Sequence, residues 1–468
     1  MFMLMSIIFV GGVLAIALED KIKINKAAIA LFMAISLWMI LMFDAYEIFV
    51  VHDSPIFKDF LTHNPEIASL PLHEQFVQFI TNRWIVYHLG NVSETLFFVM
   101  CSMLIVDIVD KHGGFRAVTG YIRTSEKRRL LWYISLAAFF FSALLDNLAA
   151  AIVMMAVLRK LVPDRTDRMK YACMVIIAAN AGGSWSPIGD VTTILLWVGG
   201  NVSALHQISH LFIPALINLL VPLVIAHFWL FREGATLRVM SEEDREDEYP
   251  EIPAQSRRVI FVIGVLSLAL VPVFQMLTNL PPFMGVLLGL VILWVYTDLM
   301  YCRLQMSESQ KLRISQLLPN IDLATIFFFL GILMSVGALE TSGQLGIMSN
   351  FLDKHVHEPY LISFIIGALS SCVDNVALVA ATMGMYPIQE QTANLSAYAQ
   401  FFVADGGFWT FLAYCAVTGG SVLIIGSATG VTVMGLEKID FMYYTKRFSL
   451  LALAGYCCGA ATYMLLFV

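Results

Sequence analysis

The chain has 468 residues, of which 59% are hydrophobic and 13% are charged, and its mean hydropathy is +0.78. These values exclude an ordinary water-soluble domain, because they lie far outside the composition of such domains. The net charge of -7, with a strongly acidic segment at 242–251, argues against a nucleic-acid partner.

Long apolar runs recur along the chain and predict an all-α polytopic membrane protein, since only helices can carry such runs across lipid. Two further apolar pieces, 131–158 and 360–386, are each interrupted by Asp-Asn, and their arms are too short to span. They are predicted to be re-entrant hairpins. The predicted spans number ten: 2–18, 27–43, 89–109, 171–199, 207–231, 259–277, 283–300, 321–340, 409–436 and 448–468.

The distribution of Lys and Arg predicts the orientation. With the N-terminus outside, every Lys and Arg except Lys58, Arg83 and Lys354 falls in a predicted cytoplasmic segment, as the positive-inside rule requires. No predicted span then contains a fixed positive charge. The first hairpin enters from the cytoplasm and the second from outside.

An internal repeat links the two halves of the chain. The hairpin tip from Ser142 to Asn147 recurs from Ser370 to Asn375, and the Gly-Gly-Ser step at 182–184 recurs at 419–421. Each half holds five spans and one hairpin. Because five is odd, the second copy is predicted to be inverted, as in many secondary transporters. The predicted organisation is a first repeat at 1–231, a cytoplasmic linker at 232–258 and a second repeat at 259–468.

The repeat also predicts where the functional site lies. Spans 171–199 and 409–436 carry glycines, and the first also Pro187, near mid-depth, where they weaken a helix and release backbone carbonyls. Both are predicted to be discontinuous helices of the kind that hold coupling ions.

Three aspartates in apolar segments are the candidate exchanging groups: Asp146, Asp190 and Asp374. No Lys or Arg is placed in the sequence to neutralise them, so a functional role is expected. A carboxylate there is stabilised either by a proton or by a metal cation, and these states exclude each other, which is the chemistry of exchange. Oxygen ligands for a hard cation are expected from Asn147, Asn180, Ser184, Thr192 and Thr193 in the first half and from Asn375, Ser421, Ser427 and Thr429 in the second.

These motifs carry a family resemblance. Leu145-Asp146-Asn147, the segment from Asn180 to Thr193, and Asp374-Asn375 resemble NhaD-type sodium/proton antiporters of the ion transporter superfamily, over roughly residues 90–468. The resemblance implies export of Na⁺ or Li⁺ in exchange for H⁺, a role in pH homeostasis, no cofactor, a homodimer formed through the first helices, and a place in the inner membrane of a bacterium. Residues that match functional positions of the family are Asp146, Asn147, Asn180, Asp190, Thr192, Thr193, Asn375, Ser421, Ser427 and the pair Glu340-Thr341. Of these, Asp146, Asn147, Asn180, Asp190 and Asn375 are expected to hold Na⁺.

Alternatives within transport are a dicarboxylate or sulfate carrier and a metalloid exporter of the same superfamily. An anion would be repelled by two carboxylate-bearing tips. A metalloid exporter is expected to use cysteine, and Cys372 is the candidate. Most cysteines lie in apolar stretches, so no disulfide framework is expected.

From a different class, an intramembrane enzyme would need an aspartate dyad or a metal constellation. Asp146 and Asp374 resemble a dyad, but their hairpins are predicted to enter from opposite faces. His206 and His210 lie one helical turn apart in a predicted external region, where solvation is the expected role. The chain is therefore not expected to be an enzyme.

Overall fold

The fold is described from a computed structural model, for residues 2–17, 19–51, 55–114, 124, 126–231, 252–304, 322–371, 373–391, 396–424 and 426–468. Most of the predicted linker 232–258, and Cys372, lie outside these residues. Within them the chain is helical, with one isolated bridge between Gln389 and Val403 and no strand. The prediction of an all-α fold is confirmed.

The helices alternate between long apolar segments and short pieces. In the first half they are α1 (Phe2–Ala17), α2 (Glu19–Ile22), α3 (Lys26–Phe43), α4 (Pro55–His63), α5 (Pro65–Ala68), α6 (Leu72–Val77), α7 (Val86–Lys111), α8 (Lys127–Leu145), α9 (Asn147–Leu161), α10 (Arg165–Ser184), α11 (Val191–Val198) and α12 (Ala204–Trp229). In the second half they are α13 (Ala254–Ala269), α14 (Val271–Thr278), α15 (Pro282–Leu304), α16 (Leu323–Thr341), α17 (Gln344–His355), α18 (Pro359–Leu369), α19 (Asn375–Met385), α20 (Gly407–Gly419), α21 (Ala428–Glu437), α22 (Phe441–Arg447) and α23 (Ser449–Phe467). Two π-helices, Glu47–Val51 and Gln78–Ile85, and one 3₁₀ helix, Ala399–Phe402, complete the set for the described part of the chain.

Seven of the described helices are long and apolar enough to cross a membrane, or eight if α13 and α14, bent by 47°, form one span. The chain is therefore a multi-pass membrane protein. Ten spans were predicted, and the difference has a local cause. Helix α1 has only 16 residues, and the predicted spans 171–199 and 409–436 are each divided into two shorter helices.

Several segments carry structure that the hydropathy pattern did not predict. The predicted external segment after α3 folds into short helices and the two π-helices, helix α17 occupies a predicted external loop, and α22 lies in a predicted cytoplasmic one. Helix α8 begins at Lys127, four residues before the predicted start, and its 19 residues make it one of the seven long apolar helices. Hydropathy detects apolar segments long enough to span the bilayer. It does not detect the short helices that precede or follow those segments.

The two broken helices form the centre of the protein. Every residue from Tyr171 to Ser184 in α10 and from Phe408 to Gly419 in α20 is buried. A helix that is apolar and buried all round belongs to the interior of a bundle. Helix α10 packs against α8 and α9 of its own half and against α20 and α21 of the other. The breaks in these helices therefore face each other across the two halves.

Candidate ion-binding site

The first hairpin turns at Asp146, the single residue between α8 and α9. Its backbone has φ 84° and ψ 160°, which is rare for a residue other than glycine and marks local strain. The carboxylate accepts a hydrogen bond from the backbone N–H of Ala149 at 2.8 Å and so caps α9. The strained turn fixes the carboxylate at the helix terminus and half-exposed to a cavity.

The second hairpin turns between Leu369 and Asn375. Asp374 caps α19 by accepting from the backbone N–H of Val376 at 3.0 Å. Its φ of -52° is unstrained, so the two tips share a sequence motif and a capping role but differ in backbone conformation. Cys372, the residue that a metalloid exporter would require, lies outside the described residues.

The break in the first discontinuous helix ends at Asp190. This buried aspartate caps α11, and it accepts from the backbone N–H of Thr192 at 2.7 Å and from the Thr192 hydroxyl. The Thr193 hydroxyl and the Asp190 backbone complete a capping box. Thr192 and Thr193 thus position the Asp190 carboxylate.

Asparagines from both hairpins meet this carboxylate. The Asn147 amide donates to Asp190 and to the Asn180 side-chain oxygen, the latter at 3.0 Å. The Asn375 amide lies 3.4 and 3.5 Å from the two Asp190 carboxylate oxygens. The two hairpin tips therefore converge on one carboxylate.

The network continues into the second broken helix through Asn180. Its amide nitrogen donates to the hydroxyls of Ser421 at 2.9 Å and Ser427 at 3.0 Å. Ser427 in turn accepts from the backbone N–H of Gly430 at 3.1 Å and caps α21. A continuous polar chain runs from Asn147 through Asn180 to the break in the other half.

Two predicted ligands have different surroundings. The Ser184 hydroxyl donates to the carbonyl of Ala181 in its own helix at 2.8 Å, so its side chain is not joined to the cluster by a hydrogen bond. The Thr429 hydroxyl is fully buried and has no hydrogen-bond partner among the described residues. A buried hydroxyl without a partner is available to a ligand.

Matching residues of the two halves make matching contacts. Ser142 donates to the carbonyl of Ala179 at 2.5 Å, and Ser370 donates to that of Ala416 at 2.7 Å. A Cβ atom added at Gly182 would lie 2.1 Å from the Phe139 carbonyl oxygen, and one at Gly419 would lie 1.9 Å from that of Gly367. In each half the hairpin and the broken helix are thus held in direct backbone contact.

A cavity of about 330 Å³ opens beside these tips, and Asp146, Asp190 and Asp374 all line it. Lys26, Asp107, Asp110 and Asp322 line it as well, between apolar residues of α7, α9 and α16. Lys26 acts electrostatically on Asp374. The prediction that no Lys or Arg is placed to neutralise these carboxylates was therefore wrong for Asp374, because α3 packs against α16 of the other half and brings Lys26 to the cavity that Asp374 lines.

Among the described residues no three His, Cys, Asp or Glu side chains are arranged to hold a metal ion. A cation at this site would be bound by carboxylate oxygens together with amide and hydroxyl oxygens, which the cluster supplies. Hard cations prefer such oxygen ligands. The donor set thus fits a hard cation better than a soft transition metal.

Comparisons with known proteins assign the family. The profile of a family described as citrate transporter matches residues 7–404. The chain is 41% identical, over 98% of its length and 72% of the relative's, to sodium/proton antiporter 1 of Arabidopsis thaliana. It is 38% identical to sodium/proton antiporter 2 of the same plant, over 98% of each protein. It is 30% identical to the Na(+)/H(+) antiporter NhaD of Vibrio cholerae, over 81% of this chain and 80% of that protein.

The chain belongs to the NhaD-type sodium/proton antiporters of the ion transporter superfamily. The resemblance drawn from the two Asp-Asn tips and the broken helix is confirmed. Membership of this antiporter family also removes the intramembrane enzyme from consideration, since the matching family and relatives are transporters.

In this antiporter, Glu340 and Thr341 lie apart from the cluster. They end α16, whereas Asp322, which lines the cavity, caps the opposite end of the same 19-residue helix. The Thr341 hydroxyl pairs with the buried His88 ring at 3.2 Å and donates to the Gly337 carbonyl. Neither Glu340 nor Thr341 is among the described residues that line the cavity, to which α16 contributes Thr325 and Phe329 from its other half.

The sequence analysis missed four charged residues that line the cavity: Lys26, Asp107, Asp110 and Asp322. Each lies at or near the end of a predicted span, where charged residues are usual and carry no signal of their own. Asp107 offers one clue, because it lies inside a predicted span. One of its carboxylate oxygens is buried without a hydrogen-bond partner among the described residues.

Proposed function

We propose that the chain exports Na⁺ or Li⁺ in exchange for H⁺ by competition of the two ions at buried carboxylates. The observation that carries the proposal is the Asp190 carboxylate, which is buried and meets amides from both hairpin tips, Asn147 and Asn375. Each amide carries an oxygen as well as an N–H group, so rotation of the side chain can present an acceptor to a cation. The same site can then serve either ion.

Competition follows from the low polarity of the surroundings. A carboxylate held away from bulk water is stabilised by a bound proton or by a bound cation, and occupancy by one removes the place of the other. Asp146 and Asp190 are the proposed exchanging groups, and Asn147, Asn180 and Asn375 are proposed to complete the Na⁺ site. The supporting groups are Ser184, Thr192, Thr193, Asp374, Ser421, Ser427 and Thr429.

The cavity is proposed to be the cytoplasmic pathway to this site. Its outer residues include Lys26 at the start of α3, Asp110 near the end of α7 and Asp322 before α16. The positive-inside rule predicts that all three helix ends face the cytoplasm. An acidic approach raises the local concentration of cations.

We also propose that the two halves, 1–231 and 259–468, are inverted repeats joined by the cytoplasmic linker 232–258. Equivalent residues support the proposal by making equivalent contacts within their own halves: Ser142 and Ser370 each donate to a carbonyl of the broken helix, and Gly182 and Gly419 each lie against the backbone of the hairpin. Each half then contributes one hairpin tip and one helix break to a shared site, as in other secondary transporters with repeats.

An anionic substrate is not proposed, although the matching family is described as citrate transporter. The cavity presents Asp146, Asp190 and Asp374 together, and a polyanion there would meet repulsion from all three while they are ionised. The relatives named above are sodium/proton antiporters, not anion carriers.

We propose a homodimer, and a place in the inner membrane of a bacterium. The bacterial location is supported by NhaD relatives from Vibrio cholerae and Vibrio parahaemolyticus. Relatives of higher identity come from a plant. A localisation experiment that placed the protein in a eukaryotic membrane would therefore contradict the bacterial location.

The function is tested in everted vesicles by the collapse of a pH gradient on addition of Na⁺, Li⁺ or K⁺. Wild type is expected to respond to Na⁺ or Li⁺. Asp146→Asn is expected to abolish the response, because asparagine has the shape of aspartate, adds no new strain to the turn and can still accept from Ala149, but cannot exchange a proton. Asp59→Asn, an exposed aspartate outside the site, is the matched control. Undiminished Na⁺ response in Asp146→Asn would contradict the proposal.

A further inference from the structure

Lys26 is the basic residue among the described residues that line the cavity, where the acidic ones are Asp107, Asp110, Asp146, Asp190, Asp322 and Asp374. It is the first residue of α3 and is half-buried. A lysine held beside an ion pathway places a compact positive charge there.

The position of the Lys26 ammonium is set by packing. Its nitrogen lies 4.6 Å from the ring centroid of Phe328 on α16, within the range of a cation–π contact. Helices α3 and α16 pack closely, since a Cβ atom added at Gly331 would lie 2.5 Å from the backbone of Ala30. Trp38 also donates to the carbonyl of Met334 at 2.9 Å. The charge is therefore carried by a rigid helix pair.

The ammonium acts on the innermost part of the cavity. It interacts electrostatically with Asp374 at the tip of the second hairpin, and Asp374 interacts with Asp190 in turn. A positive charge in this place partly compensates Asp374 and opposes the entry of a second cation. Of the three aspartates at the hairpin tips and the helix break, Asp146 and Asp190 then remain as the proposed exchanging groups.

We infer that Lys26 is a positioning charge that sets the Na⁺ affinity of the site from its cytoplasmic side. This inference rests on the proposed Na⁺/H⁺ exchange. Lys26 is not among the residues of the family motifs. Removal of the charge makes the cavity more negative, so Na⁺ binds more tightly. A unit charge at an effective dielectric constant of about 20 to 40 changes affinity by roughly threefold to tenfold over the width of such a cavity.

The experiment compares Lys26→Gln, Lys26→Arg and Lys23→Gln in vesicles that expose the cytoplasmic face. Lys23 is exposed, lies three residues before Lys26 and is not among the described cavity residues. At an alkaline pH, where protons do not compete for the carboxylates, Lys26→Gln is expected to lower the half-saturating Na⁺ concentration about threefold to tenfold, Lys26→Arg to keep it near the wild-type value, and Lys23→Gln to change it little. The difference in half-saturating Na⁺ concentration between Lys26→Gln and wild type should become smaller when choline chloride raises the ionic strength.

A second measurement separates binding from turnover. Thermal stabilisation of the purified protein by NaCl reports Na⁺ affinity without transport, and Lys26→Gln is expected to reach its half-maximal shift at a lower concentration. An equal effect of Lys23→Gln, a change in maximal rate alone, or an unchanged half-saturation value would overturn the role of Lys26. If wild type itself showed no Na⁺-driven proton movement, the proposed exchange would fail instead.

Discussion

The Asn375 side-chain nitrogen lies 3.4 Å from the Asp190 carboxylate, although the two residues are 185 positions apart and belong to different halves of the chain. A cation that binds Asp190 must displace this amide or turn its oxygen inward. A proton on Asp190 changes the same contact. In the proposed exchange, binding of either ion at Asp190 is therefore expected to be coupled to the position of the second hairpin tip.

The apparent affinity for Na⁺ should depend on pH. If both ions use Asp146 and Asp190, the half-saturating Na⁺ concentration rises as the pH falls, by up to about tenfold per pH unit where the carboxylates are mostly protonated. The measurement is the half-saturating concentration over two pH units. A constant value with a falling maximal rate would instead assign the pH effect to a remote group.

The predicted orientation is tested by two matched cysteines. Gln391 lies in a predicted external segment and Gln255 in the predicted cytoplasmic linker, and both are exposed. In a background where the exposed Cys302, Cys457 and Cys458 are replaced by serine, Gln391→Cys should react with an impermeant maleimide in intact cells. Gln255→Cys should react only after permeabilisation. The reverse labelling pattern would show that the first hairpin enters from outside and the second from the cytoplasm, opposite to the prediction.

Close backbone contact at Gly182 should make this position intolerant of any side chain. Gly182→Ala would place Cβ 2.1 Å from the Phe139 carbonyl oxygen, and that backbone cannot retreat without moving the first hairpin. We expect loss of transport and a lower melting temperature, with a cost of at least about 1–3 kcal/mol. Gly435→Ala, where no atom lies within 4 Å of the added Cβ, is the control and should behave as wild type.

Glu437 should stabilise the predicted cytoplasmic side of the protein through its two arginines. It is buried and pairs with Arg159 at 2.8 Å and Arg168 at 2.7 Å, which ties α9 and α10 to α21. Burial alone would raise the pKa of Glu437, but the hydrogen bonds from the arginines outweigh it and hold the pKa below its ordinary value of 4.5. Glu437→Gln should lower stability by roughly 1.5–3 kcal/mol, the usual strength of hydrogen bonds to charged groups.

The pH dependence of this effect follows from the sign of the shift. A lowered pKa means that the contribution of Glu437 is fully present above the ordinary glutamate pKa and is lost as pH falls through the lowered one. Melting temperatures of wild type and Glu437→Gln should therefore differ at neutral pH and converge in acid. Glu66→Gln, at an exposed position, should show no difference at either pH. A difference that persisted in acid would argue against the ion pairs as its source.

The sequence predicted the parts of the site that depend on local pattern. Asp-Asn at two apolar midpoints and glycines beside Asn180 identified the tips and the helix breaks, because polar and helix-weakening residues are conspicuous in lipid-length runs. The pairing of Asn180 with Ser421 and the placement of Lys26 in the same cavity as Asp374 were not predicted. They arise from packing between helices of different halves, which hydropathy and spacing do not encode.

The positive φ at Asp146 changes what an alanine scan of the two tips would mean. At Asp374, with φ -52°, alanine removes the carboxylate from a backbone that any residue can adopt. At Asp146, with φ 84°, alanine removes the carboxylate and also opposes the turn itself. Equal loss of transport at both positions would therefore report a chemical defect at one tip and a mixed chemical and conformational defect at the other. Asparagine has the shape of aspartate and leaves the backbone strain at each tip as it is, so it is the substitution that compares the two carboxylates on equal terms.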